Sequence, residues 1–164
     1  MSLNGFEISY ITIEQGWKMS TMLAKYRTGF NCNAYPGIDP FDLVSKVTQA
    51  AEDPLTGDIV HRINIMGHGS ASGVQIGGHF VEMSNFKDYE GHFRKLRRVL
   101  DAEGFVHIRG CTVGQNEKLL CRFAAAFGVP VYAGTSAENI LLDFNFGDIR
   151  MATPGGHVST VSRP

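Results

Sequence analysis

The chain has 164 residues, of which 43% are apolar and 19% charged, ordinary values for a globular protein with a real core. Its formal net charge of −1 excludes the basic excess that marks nucleic-acid binding, so no nucleic-acid partner is expected. No apolar stretch approaches the roughly 18 residues that cross a bilayer, and no basic-then-apolar leader opens the chain, so neither a membrane span nor a secretory signal is expected.

One domain is expected, over residues 4–164. The three cysteines, Cys32, Cys111 and Cys121, are odd in number and unrelated in spacing, which is not a disulfide framework. A reducing, cytoplasmic setting is the expectation, although a domain of an exported toxin would have the same cysteine usage.

Phe6 to Ile13 alternates and is rich in strand formers. Trp17 to Tyr26 carries Met19, Met22, Leu23 and Tyr26 at helical spacing. Thr28 to Gly37, with two Gly, two Asn and a Pro, reads as a loop. Asp39 and Pro40 form an N-cap and first helical position. Phe41, Val44, Val47 and Ala51 line that helix, which Asp53-Pro54 ends.

Ile59 to Met66 is the second strand, and the segment from Gly73 to Val81 reads as a hairpin with a glycine turn. Asn85 caps a helix whose stripe is Phe86, Tyr89, Phe93, Leu96 and Leu100. Phe105 to Gly110 is a third strand. Asn116 opens a helix with Leu119, Leu120, Phe123, Ala124 and Phe127 inward, stopped by Gly128 and Pro130. Val129 to Ala133 is a fourth strand. Beyond it, Leu142, Phe144 and Phe146 alternate, and Pro154-Gly155-Gly156 punctuates a terminal hairpin. Strand and helix alternating from residue 59 to 133 is the pattern of an α/β fold with a parallel sheet and right-handed crossovers.

Two junctions carry the chemistry. Ile63 to Met66 runs into Gly67-His68-Gly69-Ser70, and Val106 to Arg109 runs into Gly110-Cys111-Thr112. If the two runs are neighbouring parallel strands, His68 and Cys111 emerge at the carboxyl edge of the sheet, where open α/β folds place their sites. An imidazole beside a thiol is a base beside a nucleophile. A free thiol, with a pKa of roughly 8.5, is only a few per cent thiolate near neutrality, so the imidazole has a task. The amides of Gly69 and Cys111 are candidate donors to an oxyanion, and Gly110 leaves room beside the sulfur. The plain alternatives are a turn histidine and a small buried cysteine.

The order of these features resembles the caspase-like cysteine peptidases of clan CD. Within that clan it is most similar to the self-processing cysteine protease domains of bacterial toxins and related bacterial caspase-like domains. The resemblance spans about residues 59–135: apolar strand into Gly-His-Gly, glycine-rich hairpin, helix, apolar strand into Gly-Cys, a further helix, and the strand Val131 to Thr135. It implies a three-layer sandwich with a mostly parallel central sheet, helices on both faces and hairpin additions. It implies a polypeptide substrate, a His68/Cys111 dyad acting through a thioester, Gly69 at the oxyanion, and self-cleavage as a candidate activity. Ser70 and Thr112 flank the dyad and either orient a group or satisfy a turn.

Glu138 or Asp143 would suit a basic substrate side chain, unless both are solvated loop charges. Arg109 stands where executioner caspases carry glutamine, so aspartate preference is not implied. Toxin relatives respond to inositol hexakisphosphate, which makes an inositol phosphate the candidate activator and Lys87, Arg94, Lys95, Arg97 and Arg98 its candidate ligands; a solvated helix face is the alternative. No other cofactor is expected, because His61, His79, His92, His107 and His157 show no metal-ligand spacing. A catalytically silent caspase-like recognition or scaffold domain is the competing reading. A Rossmann-like nucleotide module is a weaker one, since Gly67-x-Gly69 would have to open a helix.

Overall fold

A computed structural model describes residues 6–12, 32–37, 39–54, 59–139, 144–162 and 164. Strands β1 (Phe6–Thr12), β2 (Cys32–Gly37), β3 (Val60–Met66), β6 (Leu100–Arg109), β7 (Val131–Gly134), β10 (Ile149–Ala152) and β11 (Val158–Val161) form one sheet in the order β11-β10-β7-β6-β3-β1-β2. Every pairing from β2 through β7 is parallel, and β10 alone runs against the rest. Hairpins β4/β5 (Gly73–Ile76, His79–Glu82) and β8/β9 (Glu138–Asn139, Phe144–Asn145) stand apart from it. The fold is therefore α/β with a mostly parallel sheet.

Among the described residues, three helices pack beside it: α1 (Pro40–Ala51), α2 (Phe86–Phe93) and α3 (Glu117–Phe127). α1 touches α2 and α2 touches α3, so they form one layer on one face. Of the helical layers expected on both faces, this is the one described. The helix expected over Trp17 to Tyr26 lies outside the described residues.

Local chemistry sets the boundaries. The Asp39 carboxylate accepts from the Asp42 amide at 2.7 Å and caps α1 ahead of Pro40. The Asn116 side chain does the same for Leu119 at 3.0 Å, and Gly128 closes α3 in the left-handed conformation. Asn85 holds the N-cap position of α2 but spends its side chain on the hairpin, accepting from Glu82 N and donating to Phe80 O.

Three readings need correction. Thr28 to Gly37 is not all loop, because Cys32–Gly37 is the edge strand β2; its Pro36 is tolerated where one side of the strand needs no partner. The buried side of α1 is Pro40, Leu43, Val44, Val47 and Ala50, leaving Phe41 exposed against Tyr89 and His92. The stripe from Phe86 to Leu100 is buried throughout, yet the α-helix ends at Phe93. Arg94–Arg98 tightens into a 3-10 turn and Leu100 already belongs to β6.

The core lies between the sheet and this helical layer. Ile8, Ile63, Ile65, Val106, Ile108, Val131 and Ala133 face a cluster of rings, with Phe123 packed on Phe86 and Phe93 at centroid separations of 4.9 and 5.6 Å. Removing the Phe123 ring leaves a cavity that rigid neighbours cannot fill. Phe123→Ala is expected to cost about 3–5 kcal/mol of unfolding free energy. The same change at Phe146, which is 65% exposed, should cost less than at Phe123, both read from urea-unfolding midpoints.

Candidate active site

β3 and β6 are adjacent and parallel, and Met66 pairs with Arg109 at the end of their ladder. The Gly67 amide continues it, donating to Arg109 O at 3.3 Å. Two residues past that pair on each strand stand His68 and Cys111, at equivalent positions on the carboxyl edge. β1 connects to β2 on one side while β3 lies on its other side, so the sheet's switch point falls between β1 and β3. A crevice at such a point is where open α/β sheets bind ligands, and His68 follows one of its strands.

The two junctions touch through backbone. A β-carbon on Gly69 would meet Cys111 O at 2.7 Å and Gly110 C at 2.9 Å; one on Gly110 would lie 3.2 Å from the Gly69 α-carbon. Any side chain at Gly69 must push the loops apart. Gly67 and Gly69 open no helix: Gln75 N donates to His68 O at 2.7 Å and Ser70 N to Gly73 O at 2.9 Å, which leads directly into the β4/β5 hairpin. A nucleotide-binding glycine loop needs a helix N-terminus there, and the hairpin replaces it.

The His68 side chain is exposed and Cys111 is half-buried. The Cys111 sulfur accepts from the Glu138 amide at 3.4 Å. Among the described residues, the amides of Gly69 and Cys111 donate to no backbone carbonyl. Thr112, the residue after the cysteine, has φ of 58°. A β-branched residue in that left-handed region is strained, and strain of this kind persists where surrounding structure enforces it. Two bonds hold it: Thr112 N donates to Ser136 O, and Gln115 N to Thr112 O, each at 2.9 Å.

The other expected site residues divide. Ser70 serves its turn, its hydroxyl 2.8 Å from that of Ser72. Glu138 is neither a solvated charge nor an open anion, because Arg109 grips its Oε1 through Nε and Nη2 at 3.1 and 2.9 Å, with both side chains under 10% exposed. Its Oε2 accepts from Asn145 at 3.0 Å. Asp143 lies outside the described residues. Among the basic residues, Arg94 pairs with Glu90, Arg98 with Glu52, and Arg97 donates to the carbonyls of Ala125 and Ala126. Those three guanidiniums therefore already have protein partners. Cys121 is half-buried beside Gly156, and the described residues hold no group of three or more His, Cys, Asp or Glu side chains placed to bind a metal ion. No helix among them is long and apolar enough to cross a membrane.

The sequence reading passed over the polar row on the sheet face opposite the core. Asn64 donates to Glu7, and Arg62 bonds Asn64 at 2.8 Å while lying over the Phe105 ring. Next in the row, Arg62 Nη2 is 3.4 Å from His107 Nδ1. A guanidinium only donates, so Nδ1 accepts and the His107 proton sits on Nε2, which is buried without a partner. The clue was alternation: Arg62 and Asn64 alternate with Ile63 and Ile65, and His107 and Arg109 with Val106 and Ile108.

Taken together, these elements define an α/β protein with an imidazole and a thiol at one sheet edge. The chain belongs to the DUF4347 family, a domain of unknown function whose family model matches residues 20–139, a span that includes His68, Cys111 and Glu138. No curated protein and no solved structure matches the chain significantly.

Burial, then the nearby Arg109 and Arg62 charges, push His107 down to about 3 from its ordinary 6.5. Above pH 6.5 both folded and unfolded chains carry it neutral and its contribution is intact. Below 6.5 the unfolded imidazole takes up a proton that the folded one refuses, so stability is lost as pH falls toward 3. The loss should reach about 2 kcal/mol at pH 5. His107→Gln should remove that part of the slope, read as the difference between wild-type and variant urea midpoints at pH 7.5 and 5.

Proposed function

We propose that this protein is a cysteine endopeptidase of the caspase-like type, with Cys111 as nucleophile and His68 as its base and acid. The observation that carries the reading is the equivalence of the two residues, each two positions past the last paired residues of adjacent parallel strands. The strained Thr112, the Gly69 and Cys111 amides that donate to no backbone carbonyl among the described residues, and the sheet's switch point support it.

The chemistry is acyl transfer. His68 takes the thiol proton, and the Cys111 sulfur forms a bond to the peptide carbonyl carbon. The carbonyl π pair moves to oxygen, where the Gly69 and Cys111 amides receive the charge, each well-placed donor contributing about 3–4 kcal/mol. As the carbonyl re-forms, the C–N bond breaks and the imidazolium gives its proton to the departing amine. Water then attacks the thioester and passes a proton to His68. The C–S bond breaks, leaving a carboxylic acid product and the sulfur ready for another cycle. Self-cleavage is one use of such a site in a longer polypeptide.

A peptidyl acyloxymethyl ketone, which alkylates a peptidase thiolate, tests the reading. Mass spectrometry should find the label on Cys111, with none there in Cys111→Ala. His68→Ala should slow labelling by about 10²–10⁴-fold. A folded protein that stays unlabelled across a varied peptide set would instead be a recognition or scaffold domain.

A further inference from the structure

The buried Arg109–Glu138 pair stands where a pair of charges is costly, and it touches the candidate nucleophile from both directions in the chain. Arg109 lies two residues before Cys111, and Glu138 supplies the amide that bonds the Cys111 sulfur. Desolvating two charges offsets most of what their attraction returns, so the pair is weak evidence of a stabilising role and its geometry is what calls for explanation. The geometry here is tightly fixed. Two bonds from the Arg109 guanidinium converge on one Glu138 oxygen, and Asn145 holds the other. Asn145 is saturated in turn: it donates to Ser136 O and accepts from the amides of Ser136 and Gly147 at 3.3 and 2.9 Å. Ser136 O receives the amide of strained Thr112 as well. One network thus ties the segment after β7 to the residues on either side of the cysteine.

We infer that Arg109, Glu138 and Asn145 are positioning residues, which lock the β8 backbone so that the Glu138 N–H is aimed at the Cys111 sulfur and favours its ionised, nucleophilic form. This rests on Cys111 being the nucleophile proposed above. An amide donor bonds a thiolate more strongly than a thiol, because a charged acceptor roughly doubles the strength of a hydrogen bond. The Glu138 carboxylate itself is matched by Arg109 and is not offered to a substrate. The clamp therefore acts on the sulfur through the main chain.

The test is the alkylation rate of Cys111 by iodoacetamide between about pH 5 and 9, followed on the full chain by peptide mass spectrometry. Cys121, whose sulfur bonds Gly156 O and none of the network residues, serves as the internal reference. The double variant Arg109→Met with Glu138→Gln removes both charges at once, so neither is left buried alone. It should fall about tenfold in Cys111 alkylation at pH 7, the worth of one hydrogen bond to a charged group. Its pH midpoint should also move upward. Arg109→Lys keeps a cation but loses the two-bond fork, and should shift less in the same direction.

A folded double variant with the wild-type pH profile overturns the inference. If that variant does not fold, Asn145→Ala carries the test: the same upward shift, smaller, is expected, and an unchanged profile overturns it. A purely structural role would lower the melting temperature and leave the pH midpoint in place. Alkylation requires no peptide cleavage, so the two proposals fail separately. The expected shifts in a protein that accepts no peptidyl probe sink the peptidase reading alone. Wild-type alkylation in a double variant that is still labelled sinks the clamp alone.

Discussion

Everything at the candidate site depends on how closely two loop backbones approach each other at the end of β3 and β6. Parallel strands in register deliver whatever follows them to one edge, but they do not by themselves bring the following residues into contact. Gly69 against Gly110 does that, since neither loop carries a β-carbon where they meet. The strand register sets the shared level of His68 and Cys111, and this contact goes with the tight turn that feeds the β4/β5 hairpin and the burial of Val113 against both glycines. The structure spends glycine's conformational entropy here because no side chain fits.

The sheet's two faces solve different problems. The helix-covered face is a conventional apolar core of Ile, Val and Phe, and it supplies the stability. The other face carries Glu7, Arg62, Asn64, His107 and Arg109 in a row, with Asn64, His107 and Arg109 buried. Burying polar groups there costs free energy unless each finds a partner. His107 Nε2 is the one buried side-chain nitrogen or oxygen of this row left without one, and the Arg109 and Arg62 charges resist protonation of its ring. A row of that kind orders the strands it joins, and it ends beside the cysteine.

Much of this was readable from residue patterns where local chemistry decides the outcome. The caps at Asp39 and Asn116, the glycine stop at Gly128, the hairpin after Ser70 and the ring-bearing stripe from Phe86 to Leu100 all follow from spacing and side-chain type. What escaped was decided by tertiary context. β2 has a loop-like composition and becomes a strand because β1 offers it an edge. The face of α1 is rotated from the expected one because Pro40 and Leu43 find the core and Phe41 finds Tyr89 instead. Glu138 looked like a lone charge because its partner lies on another strand, 29 positions earlier in the sequence. Pairings across a sheet edge have no local signature.

The hairpin after His68 also bears on the kind of reaction this edge suits. In most βα junctions a helix starts just past the strand, and its N-terminus favours phosphate or another anion. Here β4 and β5 take that place, and the first full helix after Cys111, α3, begins with Glu117 in its opening turn and Asn116 bonded to both Leu119 N and Ser72 O. The positive end of that helix is thus already occupied by its own acidic and amide groups. Among the described residues, this edge holds single backbone amides together with an imidazole and a thiol. Isolated amides match a neutral carbonyl whose oxygen acquires charge only during reaction better than they match a resident dianion. Such an arrangement is the electrostatic setting that the proposed acyl transfer requires.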